Sequence, residues 1–380
     1  MKRILVFIAA LILLVMTSCA APAEKKTEDK KPPKKENTMT ETMETTLEED
    51  SKTKIDLTSE SVSYKTFGRT YVNEKGLNID FAGSGLEFDV ECEGDIILHY
   101  NAALVTYFQI YVDGDEYIRF ETEVGNNLSA TIVEALPEGV HTIRIIRDTD
   151  INKNADVMAF SAIAFDGAAE SFCATAEKDL FIEFVGDSIT AGKYTETQYE
   201  ITEEAIHKAT NSYAYQLAEL MDADFSIVAR GGCGFFRVST CPKTMNQLYP
   251  YVNGFAKEPV KYVPERKADV VILALGTNDS ADNVTESYNK GTVPFATFEE
   301  ALTDQIRLIR EMHGNDVKIV LMYNMMSSNW ANEMKAVAQK EGAYTIKVTK
   351  NKDGGKTHPS TAGHKVFAKE LMEFLEDNVL

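Results

Sequence analysis

No two of the five cysteines, at positions 19, 92, 173, 233 and 241, stand in a C-x-x-C pair. A zinc site built on that spacing is therefore not expected. Histidine is scarce, with six in 380 residues, which leaves few candidates for a general base. Positive charge is short as well: 39 Lys and Arg stand against 59 Asp and Glu, a net charge of -20. A chain this acidic repels phosphate backbones and anionic headgroups, which excludes nucleic acid as a partner and a polybasic contact with a membrane. The apolar run at the N-terminus, residues 4–16, is too short to span a bilayer comfortably. What remains is ordinary globular material, 44% hydrophobic and 26% charged, and long enough for two domains with sizeable cores.

The N-terminus is more specific. Lys2 and Arg3 precede the apolar run, and Thr17-Ser18-Cys19 follows it. A basic start, a short hydrophobic stretch and small residues at the cleavage region describe a secretory signal. Small residues directly before a cysteine resemble a bacterial lipobox, although Met16 replaces the more usual Leu. Residues 1–19 are thus expected to be a signal with lipobox, with Cys19 lipidated and the mature protein held on the outer face of a bacterial cell membrane. An ordinary signal with an incidental cysteine is the alternative. Residues 20–59 are rich in Lys, Glu, Thr, Pro and Met and nearly free of aromatics. Such a segment cannot bury enough apolar surface to offset the entropy of ordering, so it reads as a disordered tether.

Residues 60–170 read as a β domain. Short runs rich in branched and aromatic residues fall at 96–100, 108–112, 117–120 and 141–146. Turn signals stand at Asp113-Gly114-Asp115, Gly125-Asn126-Asn127 and Pro137-Glu138-Gly139. The absence of helical period between them favours a β-sandwich of jelly-roll type. From 178 to 380 the pattern becomes an alternation: strands at 180–185, 225–229, 268–275, 317–322 and 343–348, helices at 212–221, 298–312, 330–340 and 361–375. The fold class expected is α/β, a three-layer domain with a parallel sheet, preceded by the sandwich. Cys233 and Cys241 either close a short disulfide loop or remain buried thiols; spacing does not choose between them.

In open α/β sheets function gathers where strands end. Gly186-Asp187-Ser188-Ile189-Thr190 follows the first such strand, and Ser188 there is a candidate nucleophile with backbone N–H groups nearby. Alone, the motif also fits a capping Ser at a helix start. Ala229-Arg230-Gly231-Gly232-Cys233-Gly234 follows the next strand and can bring a backbone N–H close to a ligand, or merely supply a loop that needs positive φ. Asn278, in Gly276-Thr277-Asn278-Asp279, can aim an amide at an oxyanion or form an Asx turn. His358, in Thr357-His358-Pro359-Ser360, precedes the last helix and is a candidate base, because an imidazole titrates near working pH. His364 falls on that helix and reads as surface or packing.

Taken in this order and at these strand ends, the four blocks resemble the SGNH (GDSL-type) hydrolases, whose blocks supply Ser, Gly, Asn and His. The resemblance implies Ser188 as nucleophile and His358 as base. It implies an oxyanion hole from the Ser188 N–H, the Gly loop (Gly234 ahead of Gly232) and Asn278. A sandwich of about a hundred residues before such a domain is similar to carbohydrate esterase family 2, acetylesterases of plant polysaccharides. Tyr111-Val112-Asp113-Gly114 and His141-Thr142-Ile143-Arg144 fit its first domain. The flavodoxin-like fold, a serine esterase acting on acetylated xylan- or mannan-type polysaccharide or oligosaccharide, and a monomer are what this resemblance implies.

One departure stands out. SGNH enzymes usually carry an Asp two or three residues before the His, where this chain has Lys356 and Gly355. Asp353, five residues upstream, is the nearest acid. Either it reaches His358 through a bulged loop, or a backbone carbonyl orients the ring. Trp330, with Phe235, Phe236 and Tyr194 behind it, is a candidate for stacking on a sugar, against core packing. Rival readings are a lipase or thioesterase of the same fold, a peptidoglycan O-acetylesterase, and a catalytically decayed carbohydrate-binding lipoprotein.

Overall fold

The computed structural model describes residues 51–150, 158–196, 207–236, 241–279 and 295–380. The expected signal, Cys19 and most of the expected tether lie outside these residues. The first strand, β1 (Thr53–Asp56), pairs antiparallel with β9 (Met158–Asp166), and Ile55 and Leu57 are buried. Order therefore begins before residue 59, where the tether was expected to end. Two alternating apolar residues suffice there because β9 supplies the ladder, a signal too short for a compositional reading.

The sandwich domain continues with β2 (Lys65–Phe67), β3 (Thr70–Asn73), β4 (Gly76–Ile79), β5 (Gly85–Ala102), β6 (Tyr107–Val112), β7 (Asp115–Glu121) and β8 (Gly125–Arg147). Its antiparallel sheet runs β3-β4-β9-β5-β8-β6-β7, with β1 added to β9 and β2 to β5. Asp113-Gly114 turns β6 into β7 with both residues at positive φ, as expected of a two-residue hairpin. The other two expected turns are not turns. Gly125-Asn126-Asn127 and Pro137-Glu138-Gly139 both lie inside β8, where register shifts against β5 absorb the extra residues as bulges. Turn-type residues and bulge residues share the same chemistry, so composition cannot separate them. Leu86, Phe88, Val90, Ile96 and Leu98 of β5 meet Phe108, Ile110, Ile143, Ile145, Phe160 and Ile163 in one apolar core.

The second domain alternates as expected: β10 (Phe181–Gly186), α1 (Tyr213–Leu220), β11 (Asp224–Ala229), α2 (Met245–Leu248), β12 (Val270–Ala274), α3 (Phe298–His313), β13 (Lys318–Tyr323), α4 (Ala331–Glu341), β14 (Tyr344–Lys347) and α5 (Thr361–Asn378). All strand pairs are parallel, in the order β11-β10-β12-β13-β14. The first strand of the domain thus lies second in the sheet, the flavodoxin-like order, and chain connections diverge on either side of β10. Strands β10 and β12 inside the sheet, and β11 at its edge, are buried along their whole length. Their side chains alternate between two cores. Ile182, Phe184 and Ile227 pack with Leu217, Phe367 and Leu371 of α1 and α5, while Val185, Val271 and Leu273 pack with Leu302, Ile306 and Val337 of α3 and α4.

One buried charge joins the two domains. Arg69, between β2 and β3, is fully buried, and its guanidinium lies 4.4 Å from the ring centres of both Tyr249 and Tyr262. It pairs with Glu183 in the middle of β10 at 3.2 Å. Glu183 also accepts hydrogen bonds from the Tyr249 hydroxyl at 2.6 Å and from His313 Nε2 at 3.1 Å. Burial alone would raise the Glu183 carboxyl; the Arg69 charge and the His313 and Tyr249 bonds outweigh it and hold it at about 2.

Candidate active site

The carboxyl ends of β10, β11 and β12 carry the Ser, Gly and Asn blocks side by side, as adjacency in the sheet requires. Beyond Gly186 the chain forms hydrogen-bonded turns, with Ala191 N–H donating to the Asp187 carbonyl (3.0 Å) and Lys193 N–H to the Ser188 carbonyl (2.9 Å). Ser188 therefore sits on a turn rather than at the start of a helix. Its Oγ lies 2.9 Å from His358 Nε2, bringing together two residues 170 positions apart.

His358 is oriented by the backbone. Its Nδ1 lies 3.2 Å from the Lys356 carbonyl. A carbonyl only accepts, so Nδ1 carries the proton and Nε2 keeps the lone pair that faces Ser188. Lys356 and Thr357 both adopt positive φ, 48° and 62°, and this left-handed pair turns the carbonyl back toward the ring. Burial first, then the charges of Lys193 and Lys356, lower the His358 pKa from its ordinary value, against the bond to the Lys356 carbonyl. Tyr194 stands edge-on to the imidazole, ring centres 4.9 Å apart, and its hydroxyl accepts from Lys356 Nζ at 3.0 Å.

Asp353 does not reach the imidazole, which corrects the expectation that it completes a triad. Its Oδ2 accepts from Asn351 Nδ2 at 2.9 Å, and its own N–H donates to Asn351 Oδ1. The reason is local: Asn351 lies two residues away, and the left-handed turn at 356–357 places a carbonyl where the acid would have to go. His364 is buried on α5, where its Nδ1 accepts the Tyr213 N–H at 3.0 Å. It is a packing residue.

Asn278 ties the blocks together. Its Nδ2 donates to Asp187 Oδ2 at 3.1 Å and to the Cys233 carbonyl at 2.9 Å, linking the Ser188 turn to the Gly loop. Asp187 also accepts the Ile189 N–H at 2.9 Å. Burial, and then the nearby Asp279 charge, push the Asp187 carboxyl up to about 7. Within the loop, a Cβ on Gly234 would fall inside the Asp279 carboxylate, whose oxygens accept the Phe235 and Phe236 N–H groups at 3.1 and 3.0 Å. Gly234 is thus required for a close approach within the protein. Cys233 and Cys241 are buried thiols that share the Lys243 carbonyl, at 3.6 and 3.0 Å.

Trp330 is half-buried at the entry to α4, stacked on Phe298 at 4.7 Å and edge-on to Phe236 at 5.6 Å. It lies beside Gly276, and so beside the Asn278 turn. Phe235 and Phe236 are buried, leaving Trp330 and Tyr194 as the aromatic side chains of this group with surface to offer. Three further residues at the site went unnoticed in the sequence: Asp187, Lys193 and Asp150. Asp187 is part of the serine motif; the other two carry no local signal.

A serine hydroxyl against an imidazole lone pair at the switch point of a flavodoxin-like sheet is the machinery of a serine hydrolase. The comparisons with known proteins sharpen this. The GDSL-like lipase/acylhydrolase family model matches residues 184–366, and the carbohydrate esterase 2 N-terminal model matches residues 66–172. The chain belongs to the SGNH (GDSL-type) hydrolases, with the two-domain build of carbohydrate esterase family 2, and is a carbohydrate esterase.

Similar solved structures include an acetyl xylan esterase from the rumen bacterium Butyrivibrio proteoclasticus, 19% identical with a TM-score of 0.72 over 86% of this chain and 98% of that one. A family two carbohydrate esterase from Cellvibrio japonicus is 18% identical, TM-score 0.74, again over 86% and 98%. Another from Clostridium thermocellum, in complex with cellohexaose, is 21% identical, TM-score 0.68, over 83% and 99%. At these identities the likeness establishes the fold. No curated protein matches the chain.

Proposed function

We propose that the protein removes O-acetyl groups from xylan- or mannan-type polysaccharide or oligosaccharide through an acetyl-Ser188 intermediate. The observation that carries this is the 2.9 Å contact between Ser188 Oγ and the unprotonated Nε2 of His358. His358 takes the hydroxyl proton as Ser188 Oγ bonds to the acetyl carbonyl carbon. The sugar oxygen leaves with that proton, and water then releases acetate from Ser188, its proton passing through His358. The Ser188 N–H and the Gly234 N–H serve the developing oxyanion, and Asn278 Nδ2 joins them by turning one N–H away from Asp187 Oδ2 or the Cys233 carbonyl. This acyl transfer calls for no metal or organic cofactor.

A backbone carbonyl at Nδ1 keeps the imidazole in the productive tautomer. What it does not supply is the full negative charge that a carboxylate places beside the imidazolium. Catalysis by a Ser–His pair is therefore the reading adopted. The acetylated chain lies across the turn, with Trp330 available to stack on a sugar face. The enzyme acts as a monomer outside the cell, held to the membrane by lipidated Cys19, where polysaccharide too large to enter is met.

Acetate release from acetylated xylan, acetylated mannan and 4-nitrophenyl acetate tests this, with Ser188→Ala beside the wild type. Release that disappears in Ser188→Ala is expected. Hydrolysis of long-chain aryl esters in preference to acetate, or release that persists in Ser188→Ala, would overturn it.

A further inference from the structure

Asp150 belongs to the sandwich domain, three residues past the end of β8, yet its carboxylate is buried in the catalytic loops of the other domain. Its Oδ2 accepts from the Gly231 N–H at 3.1 Å, from Arg230 Nη1 at 2.7 Å and from Lys193 Nζ at 2.8 Å. Gly231 leaves room for this cluster, since a Cβ there would stand 2.8 Å from Lys193 Nζ and 3.1 Å from Asp150 Oδ2. The same loop is anchored two residues earlier. Asp148 pairs with Arg119 at 2.8 Å, its side chain accepts from Thr210, and its carbonyl accepts the Ala209 N–H at 3.1 Å.

One carboxylate therefore touches both active-site loops. Gly231 and Arg230 begin the Gly loop, and Lys193 closes the Ser188 turn through its N–H to the Ser188 carbonyl. Lys193 also carries a positive charge that acts on His358. Asp150 beside it offsets part of that charge at short range, the same carboxylate also pairing with Arg230.

We propose that Asp150 is a positioning residue, contributed by the sandwich domain, that holds the Gly loop against the Ser188 turn and offsets the Lys193 charge so that His358 stays basic enough to accept the serine proton. This rests on the Ser188–His358 reading above. The charged and titratable groups around His358 are Lys193 on the Ser188 turn, Lys356 on its own loop and His364 on α5. Tyr194 packs on the ring, and His207 packs behind Tyr194. Among these the Asp150–Lys193 pair is where one isosteric change alters the charge without touching the reacting atoms.

The sign follows. Asp150→Asn leaves Lys193 uncompensated, which disfavours imidazolium and lowers the His358 pKa further. The acid limb of kcat/KM then moves to lower pH, while the plateau kcat falls about tenfold because the base is weaker and the loop less firmly held. Lys193→Met removes the opposing charge and moves the limb to higher pH; the double variant returns it toward the wild type. A residue with only a structural role would lower activity without moving the limb.

The experiment measures pH profiles on 4-nitrophenyl acetate, and the His358 imidazole titration by NMR, in wild type, both single variants and the double. The NMR readout stands even if the wild type hydrolyses no ester, so failure of the enzymatic reading is seen separately. Should Asp150→Asn not fold, Lys193→Met alone still must raise the His358 pKa. An unmoved His358 titration in folded Asp150→Asn or in Lys193→Met would overturn the proposal, as would an unchanged kcat in Asp150→Asn.

Discussion

Replacing Arg69 by Met should cost the protein about 3 kcal/mol at neutral pH, although Arg69 lies on neither face of the active site. The figure follows from Glu183. Its carboxyl, ordinarily near 4.5, is held at about 2 against burial by Arg69 first and then by His313 and Tyr249. The displacement of about 2.5 units, at about 1.36 kcal/mol per unit, is about 3 kcal/mol for the whole set, and sets the scale for losing its leading member. An independent expectation agrees, because breaking a buried ion pair from one side costs about 3–5 kcal/mol. The folded-state pKa is depressed, so the contribution is fully present above the unfolded value of about 4.5 and is lost as the pH falls through about 2. In Arg69→Met the remaining carboxylate is buried without its cation and its pKa rises. The deficit should therefore be largest at pH 7 and shrink on acidification toward pH 4. Urea unfolding at pH 7 and pH 4 reads this directly. The double variant Arg69→Met, Glu183→Gln should recover part of the loss, since a neutral pair leaves no charge stranded. A pH 7 deficit below about 1 kcal/mol, or one independent of pH, would refute the assignment of a buried interdomain ion pair to this site.

Asp353→Ala should leave kcat/KM on 4-nitrophenyl acetate within about twofold of wild type, because its carboxylate bonds Asn351 rather than His358; a loss of about 10³ or more would reinstate it as the triad acid. Asn278→Ala should lower kcat by about 10²–10³ with KM less affected, the range for losing one oxyanion donor, read by steady-state kinetics.

The parallel sheet was legible because a strand buried on both faces has to be written in apolar residues. The runs at 180–185 and 268–275 could hardly be read otherwise. Ser188, Asn278 and His358 were legible as a set because each follows or precedes an element whose position was already clear. The orienting group behind His358 was not legible, since a backbone oxygen has no letter. Asp353, the visible acid, was drawn instead to the nearer amide of Asn351. The long strand β8 was missed as one element because Pro137 and Gly125 read as turns when their partner strand is unknown. Only the pairing with β5 shows that the extra residues bulge out of a continuing ladder.

Asp150 and Arg69 were invisible for a different reason. Each is an ordinary charged residue in a β domain, and its partner stands far along the chain, 81 positions away for Gly231 and 114 for Glu183. Neither position has a periodicity or a motif to mark it. Yet the two converge on the same strand of the other domain: Arg69 meets Glu183 halfway along β10, and Asp150 grips the loops beyond its end. A charge buried within one domain can find its partner locally, but among the described residues the one Arg or Lys paired with Glu183 comes from the sandwich. Cutting the α/β domain free at residue 178 would therefore strand a carboxylate in its core and loosen both loops around Ser188. The sandwich is then part of the catalytic unit's construction, and any role in holding glycan is additional to that.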